Sequence, residues 1–358
     1  MTIDSVDLYR YALPLTAPLD LGAKTISERQ GLLIRLSLAS GAEGWGEAAP
    51  LPGFSPESLE RAVAHARRLR ERWTGHPLSA ETLESVWGAL SFPKDAPASV
   101  RFAGESAVVE AVAAARDVSP AQLLGARRAQ VALNALVRGG SPRDVAEDGR
   151  RLRAEGYRAV KLKVGRMSVS ADVDRVRALR EALGDDVALR LDANRAWSVE
   201  EARGFLDGIP RDEISYLEEP VANVDRLPAF VEETGCPVAL DETTREQPPE
   251  VLAQCPVRAV VLKPTMLGGV RAAQMWAAAA EQRGVDSVVS ASYESGVGTR
   301  LLVALAAAFS ETPAGLSPYT RLATDVLSPG LPMGAPTVDL DRVAGARVVE
   351  ERLGVPIE

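Results

Sequence analysis

Ala159-Val160-Lys161-Leu162-Lys163-Val164, an amphipathic run over 171–182, and then Val187-Ala188-Leu189-Arg190-Leu191-Asp192 form the stretch that decides the fold. A short apolar strand, a helix and a second apolar strand make one βα unit, and the unit recurs in both directions along the chain. Upstream, Val131-Ala132-Leu133-Asn134 precedes a helical pattern over 141–155. Downstream, strand candidates at 214–220, 238–241, 259–264 and 287–290 alternate with helical patterns at 226–234, 249–254, 270–283 and 298–309. A weak last strand falls at Ala314-Gly315-Leu316. Strand–helix alternation kept up seven times predicts an α/β fold with a parallel sheet, and a modified TIM barrel, (β/α)7β, is its economical closure. An open doubly wound sheet would place a glycine-rich turn after its first strand. The nearest candidate, Gly296-Val297-Gly298, comes late and lacks the third glycine.

Outside this region the pattern changes. Strands are expected at Val6-Asp7-Leu8-Tyr9-Arg10-Tyr11, at 31–38 and at Ala42-Glu43-Gly44-Trp45-Gly46-Glu47, with a mobile polar loop over 17–29 between the first two. Helical patterns follow at 58–73, 81–90 and 106–115, the first with a solvated arginine-rich face. This divides the chain into an α+β capping domain (1–129), a barrel carrying the site (130–325) and a tail (326–358) that returns to the cap. The 358 residues are 46% hydrophobic and 25% charged, with a net charge of −8. That balance argues against nucleic acid or an anionic membrane as partner. No apolar run reaches the ~18 residues of a membrane span, and the acidic N-terminus lacks a secretion signal's layout, so a cytoplasmic protein is expected. Two histidines, His65 and His76, exclude a multi-histidine metal site, and Cys236 and Cys255 read as buried thiols.

Charge placement carries the chemistry. Five consecutive apolar strands end in ionisable residues: Lys161 and Lys163, then Asp192, Glu218, Asp241 and Lys263. Barrel sites form at the C-terminal rim, and a lone charge buried there would cost several kcal/mol, so partners are implied. Three carboxylates from adjacent strands make an oxygen cage suited to Mg²⁺, with Mn²⁺ as substitute, and not to zinc. Lys161 and Lys163 on one side and Lys263 across the mouth are expected to depress one another's pKa, which would make a lysine competent as a base. A cation among carboxylates between opposed lysines suits removal of the proton next to a substrate carboxylate, giving an enediolate stabilised by the metal's charge.

These motifs resemble those of the enolase superfamily, muconate-lactonizing subgroup. The resemblance rests on Lys161-Leu162-Lys163-Val164-Gly165, Asp192-Ala193-Asn194-Arg195-Ala196-Trp197, Leu217-Glu218-Glu219-Pro220, Asp241-Glu242-Thr243 and Val261-Leu262-Lys263-Pro264, and spans nearly the whole chain. Within the subgroup, Gly44-Trp45-Gly46-Glu47 with Pro52-Gly53-Phe54-Ser55 resembles the dehydratase branch. The resemblance implies a small carboxylate substrate, 2-succinyl-6-hydroxy-2,4-cyclohexadiene-1-carboxylate, and its Mg²⁺-dependent syn-dehydration to 2-succinylbenzoate, a step of menaquinone biosynthesis. It implies Asp192, Glu218 and Asp241 as metal ligands, Glu218 being chosen over Glu219 as the first Glu of Glu-Glu-Pro. Lys163 would be the base and Lys263 the cation on the opposite face. Lys161, Asn194, Ser292, Ser295 and Arg29 would bind substrate. Racemisation of N-succinylamino acids is the alternative on the same scaffold. Dipeptide epimerisation is disfavoured, because 290–298 lacks an acidic pair separated by one residue. A non-catalytic barrel would have lost a ligand or a lysine, and none is missing.

Overall fold

The computed structural model describes residues 1–22, 24–78, 82–126 and 128–358. The chain opens with three antiparallel strands, β1 (Ile3–Asp20), β2 (Thr25–Leu38) and β3 (Glu43–Ala48). The expected loop over 17–29 is instead the far end of a long hairpin: Leu19 pairs with Ile26 and Asp20 with Thr25, beyond a register shift after Pro14. Its polar composition misled because a two-stranded ribbon standing clear of the core needs no apolar alternation. Ala23, within that expected loop, lies outside the described residues, as does Glu81 of the second helical pattern, whose helix runs Leu83–Ala89.

The third cap helix, Ala98–Ala115, is buried along nearly its whole length. It lies so close to β3 that a Cβ at Gly46 would strike the Ala103 carbonyl, and one at Gly44 the Ala107 carbonyl. The glycines of Gly44-Trp45-Gly46-Glu47 thus act through packing: only an absent side chain lets helix and strand touch backbone to backbone.

Seven parallel strands follow as hydrogen-bonded neighbours: β5 (Ala135–Val137), β6 (Ala159–Lys163), β7 (Ala188–Asp192), β8 (Tyr216–Glu218), β9 (Val238–Leu240), β10 (Ala259–Leu262) and β11 (Asp286–Val289). Parallel bridges from Ala314 to Leu133 and from Gly315 to Ser290 link the two edges, so the weak last strand closes the cylinder. The first strand was expected at 131–134. Those residues divide: β4 (Gln130–Ala132) pairs with the tail at Thr337–Asp339, and the barrel strand begins at Ala135. Elsewhere the tail lies against β1, with Gly354 and Ile357 donating to the Arg10 and Leu8 carbonyls.

Side-chain alternation sorts each barrel strand. Val160, Leu162, Leu189, Leu191, Leu217, Val238, Leu240, Val260 and Leu262 face the helices and are fully buried. A separate small core of Tyr216, Ala239, Ala259, Val261 and Val288 fills the barrel interior. Ser141, Ser168 and Ser198 cap three of the outer helices through their hydroxyls, each worth about 1 kcal/mol. Because Lys161, Lys163, Asp192 and Glu218 share the inward parity, they end over the apolar plug and not in the helix layer. The register aligns Lys163, Asp192 and Glu218 in one row, while Asp241 and Lys263 lie further along their strands. The stagger of a closed barrel returns all of them to one rim.

Candidate active site

At that rim the charged groups meet. Lys161 Nζ donates to Glu218 Oε1 and Oε2 at 2.8 Å each and stands 2.9 Å from Asp192 Oδ2. Lys163 Nζ is 3.3 Å from Asp192 Oδ2 and donates to Asn194 Oδ1 at 2.5 Å, while Lys263 pairs with Asp241. Lys163 ends β6 and Lys263 follows β10, four strands on, so the two lysines face each other across the mouth. Exposure grades them: the Lys163 side chain is 38% exposed, Lys263 21% and Lys161 15%. Lys163 is therefore the amine most open to a ligand.

Burial pushes the carboxylates and the amines toward neutrality, but the pairing is stronger for most of them. Burial alone would raise Asp192, yet Lys161 and Lys163 hold it below the usual carboxylate range. Glu218 is raised, by burial first and then by the neighbouring Asp192. Lys161 and Lys263 contradict the expected depression. Burial lowers Lys161, but Asp192 and Glu218 outweigh it and lift the amine well above its ordinary value; Lys263 rises likewise, burial being overcome chiefly by Asp241. The expectation weighed like charges alone, whereas the acids are the nearer neighbours.

Loops hold this constellation in place. Asn194 and Arg195, both at positive φ, turn the chain sharply after Asp192. Asn194 N donates back to Asp192 Oδ1 at 3.1 Å, and Asn194 Nδ2 reaches Glu242 at 3.2 Å. Glu219 faces away from the mouth. It accepts from the Asp241 and Thr243 amides at 2.9 and 2.7 Å and pairs with Arg195 at 2.9 Å. Parity thus separates the Glu-Glu pair: Glu218 points into the mouth and Glu219 clamps the backbone of Asp241 from outside. Behind β6, Arg175 bonds the Lys163 carbonyl at 3.2 Å and Asp172 at 2.7 Å.

The rim opens into a cavity of about 300 Å³ between barrel and cap. Lys161, Lys163, Lys263, Asn194 and Ser292 all line it. Ser292 Oγ is buried with no hydrogen-bond partner among the described residues. Two residues expected at substrate lie elsewhere. Ser295 is fully buried and donates through both its amide and its hydroxyl to Glu47, at 2.8 and 2.5 Å. Arg29, 1% exposed, spends its guanidinium on the carbonyls of Gln30, Ala49, Pro50 and Tyr293. Both residues serve the seam between cap and barrel, because each has a complete set of buried partners within reach. Arg29 acts through Tyr293, whose carbonyl it holds at 2.9 Å while that residue keeps a φ of 65°. Sequence reading overlooked Tyr293 and the cavity arginines Arg138, Arg166 and Arg321. The available signal for the first two was a cation just beyond each of two successive barrel strands.

As the side chains lie, no three carboxyl groups among the described residues stand in a coordinating arrangement, since each is turned to a lysine. Yet Asp241 Oδ1 and Glu242 Oε2 are buried with no hydrogen-bond partner among the described residues, a costly state for a carboxylate oxygen that a hard cation would relieve. All the available donors are oxygens, which fits Mg²⁺ or Mn²⁺.

Comparison with known proteins agrees with this architecture. Residues 144–345 match the family described as "Enolase C-terminal domain-like", and residues 3–94 match "MenC, N-terminal domain". The solved muconate lactonizing enzyme of Pseudomonas fluorescens superposes with a TM-score of 0.84 over 98% of each chain at 24% identity. A dipeptide epimerase from Enterococcus faecalis, complexed with Mg and a dipeptide, gives 0.83 over 95% of this chain and 97% of its own, at 23% identity. The chain belongs to the enolase superfamily. It is 34% identical over 326 residues to the o-succinylbenzoate synthase of Edwardsiella ictaluri, which covers 89% of this chain and 92% of that one. Within the superfamily its family is that of the o-succinylbenzoate synthases.

Proposed function

We propose that this chain dehydrates 2-succinyl-6-hydroxy-2,4-cyclohexadiene-1-carboxylate to 2-succinylbenzoate, as an o-succinylbenzoate synthase. The observation that carries the reading is the pair of lysines facing each other across a mouth floored by three buried carboxylates. Asp192, Glu218 and Asp241 would hold Mg²⁺, with the orphaned Asp241 oxygen as a donor already free of partners. When bound, such a cation supplies positive charge to the substrate carboxylate while the adjacent carbon is deprotonated.

The chain's own residues do the rest. Lys163, the most exposed amine, removes the proton from the carbon bearing the carboxylate; asparagine Asn194 orients it. The electron pair left behind re-forms a ring double bond as the neighbouring C–O bond breaks. Protonated Lys163 then returns its proton to the departing hydroxyl on the same face, so one water leaves and the ring becomes aromatic. Lys263 keeps its charge because Asp241 is its direct partner, and it stabilises the anion from the opposite face. Lys161, clamped between Asp192 and Glu218, presents a fixed cation to the substrate carboxylate. Aromatisation makes the step strongly downhill, so the site needs orientation more than fine complementarity.

Purified protein is expected to produce 2-succinylbenzoate in an ultraviolet assay, and absence of product with pure substrate and Mg²⁺ would overturn the reading. The opposed lysines also suit N-succinylamino acid racemisation as a second activity. Exchange of the α-hydrogen of such a substrate in D₂O would reveal it.

A further inference from the structure

The walls of the cavity are not uniform in charge. At the floor, three lysines face three carboxylates and the charges balance. Further out the lining holds four arginines, Arg138, Arg166, Arg245 and Arg321, against Asp20 and Glu242. Among the described residues none of these arginines is within ion-pair distance of a carboxylate, whereas Arg10, Arg35, Arg195 and Arg300 all have acidic partners. Asp20 is occupied by the Gly22 amide at 2.8 Å and Glu242 by Asn194 at 3.2 Å. A chain of net charge −8 thus leaves unpaired cations around its own cavity.

Their placement is sectored. Arg138 follows β5, Arg166 follows β6, and Arg321 lies a few residues past the closing strand Ala314–Gly315, which bridges Leu133 ahead of β5 on one side and Ser290 after β11 on the other. The three therefore rise from neighbouring strands, while Asp192 and Glu218 end β7 and β8 and Asp241 follows β9. Tyr293, after β11, lines the same sector, half-buried, and the charges of Arg321, Arg138 and Arg166 all act on its hydroxyl. Arg321 donates to the Ala17 and Pro18 carbonyls of the hairpin at 3.1 and 3.3 Å. Its Nε is buried and has no partner among the described residues.

We infer that Arg138, Arg166 and Arg321 form an anion-binding subsite that holds the second carboxylate of a dicarboxylate substrate, away from the carboxylate at the lysines. The inference rests on the proposed reaction, whose substrate carries its second carboxylate on the succinyl chain. The guanidinium fork matches a carboxylate in two parallel hydrogen bonds, which a lysine or serine cannot supply. One end of the substrate then lies over the β7–β9 sector and its tail over the β5–β6 sector, which fixes the reacting carbon above Lys163. These arginines set specificity and position.

The test compares the diacid with its analogue in which the succinyl carboxylate is a primary amide. Arg138→Met and Arg166→Met change exposed side chains that make no side-chain hydrogen bond among the described residues, so folding is spared, and unchanged thermal unfolding confirms it. The double variant is expected to raise KM for the diacid roughly 10- to 100-fold with kcat within about threefold, and the wild type to prefer diacid over amide by a similar factor. On the amide, wild type and variant should converge. Equal losses on both compounds, or a fall in kcat with KM unmoved, would overturn the subsite. Calorimetric binding of 2-succinylbenzoate against its amide separates the two proposals. Wild-type preference for the acid without turnover of either substrate would leave the subsite standing and remove the reaction; turnover with no such preference would do the reverse.

Discussion

Two groups of buried carboxylates in this chain have opposite surroundings. At the rim, Asp192, Glu218 and Asp241 face ammonium groups. At the seam between cap and barrel, Glu47, Glu105 and Glu294 face neutral donors. Glu47 accepts from Tyr11, from both Ser295 groups and from Gly298 N at 2.8 Å. Glu294 accepts from Thr265 at 2.6 Å and Ser292 N at 2.5 Å, and Glu105 from Arg271 N at 2.9 Å. Burial raises the pKa of all three seam acids, whereas Asp192 and Asp241 are held down by lysines despite burial. The lesson is that burial alone does not mark a functional acid. A carboxylate met by amides and hydroxyls is a structural tie, and one met by mobile cations can exchange them for a ligand.

The sharpest break between the groups is kinetic. Lys163→Ala should lower kcat by roughly 10³-fold or more while leaving the unfolding transition nearly unchanged, because this amine is partly exposed and packs little. Retained turnover would place the base elsewhere. Chelation comes next: EDTA should bring activity to background, and Mg²⁺ or Mn²⁺ should restore it, with the fold intact in circular dichroism throughout. Full activity after exhaustive chelation would mean the rim acids serve the lysines alone.

Seam variants should behave in the opposite way. Glu47→Ala strands several buried donors and should cost about 3–5 kcal/mol in denaturant unfolding, with any residual activity tracking the folded fraction. A loss of rate in fully folded protein would bring Glu47 into the chemistry. The mildest effect is with pH. Burial lifts Glu105 from 4.5 to about 7, so the folded protein keeps a proton that the unfolded chain releases. Its contribution is greatest below pH 4.5 and is lost as pH rises through 7, about 3 kcal/mol over that window. Glu105→Gln should flatten the decline of stability between pH 5 and 8. An unchanged slope would assign that decline to Glu47 and Glu294.

The same contrast explains what could be read in advance. Strand-end charges on an apolar background were visible because neighbours within a strand alternate by a fixed period, so Lys161 and Lys163 sort to one face without coordinates, whereas the choice of Glu218 over Glu219 came from the family resemblance and the structure shows the parity behind it. Asn194 and Ser292, expected from the family resemblance, do line the cavity. Arg29 and Ser295 were misplaced because their partners, Tyr293 and Glu47, are more than two hundred residues away. The hairpin end was missed because pairing of Leu19 with Ile26 depends on register, not composition. The division of 130–137 into two strands was equally hidden, since the competing partner, Thr337–Asp339, lies in the tail.

Local periodicity therefore determined the barrel and the placing of charges at five strand ends, because each depends only on neighbours a few positions apart, and the family resemblance singled out Glu218 among them. Tertiary structure decided which buried acids meet cations and which meet amides, where the cap inserts its arginine, and which surface arginines gather around one cavity. Those are matters of long-range juxtaposition, and the free energy of a buried charge is set by whatever the rest of the chain brings within a few ångströms of it.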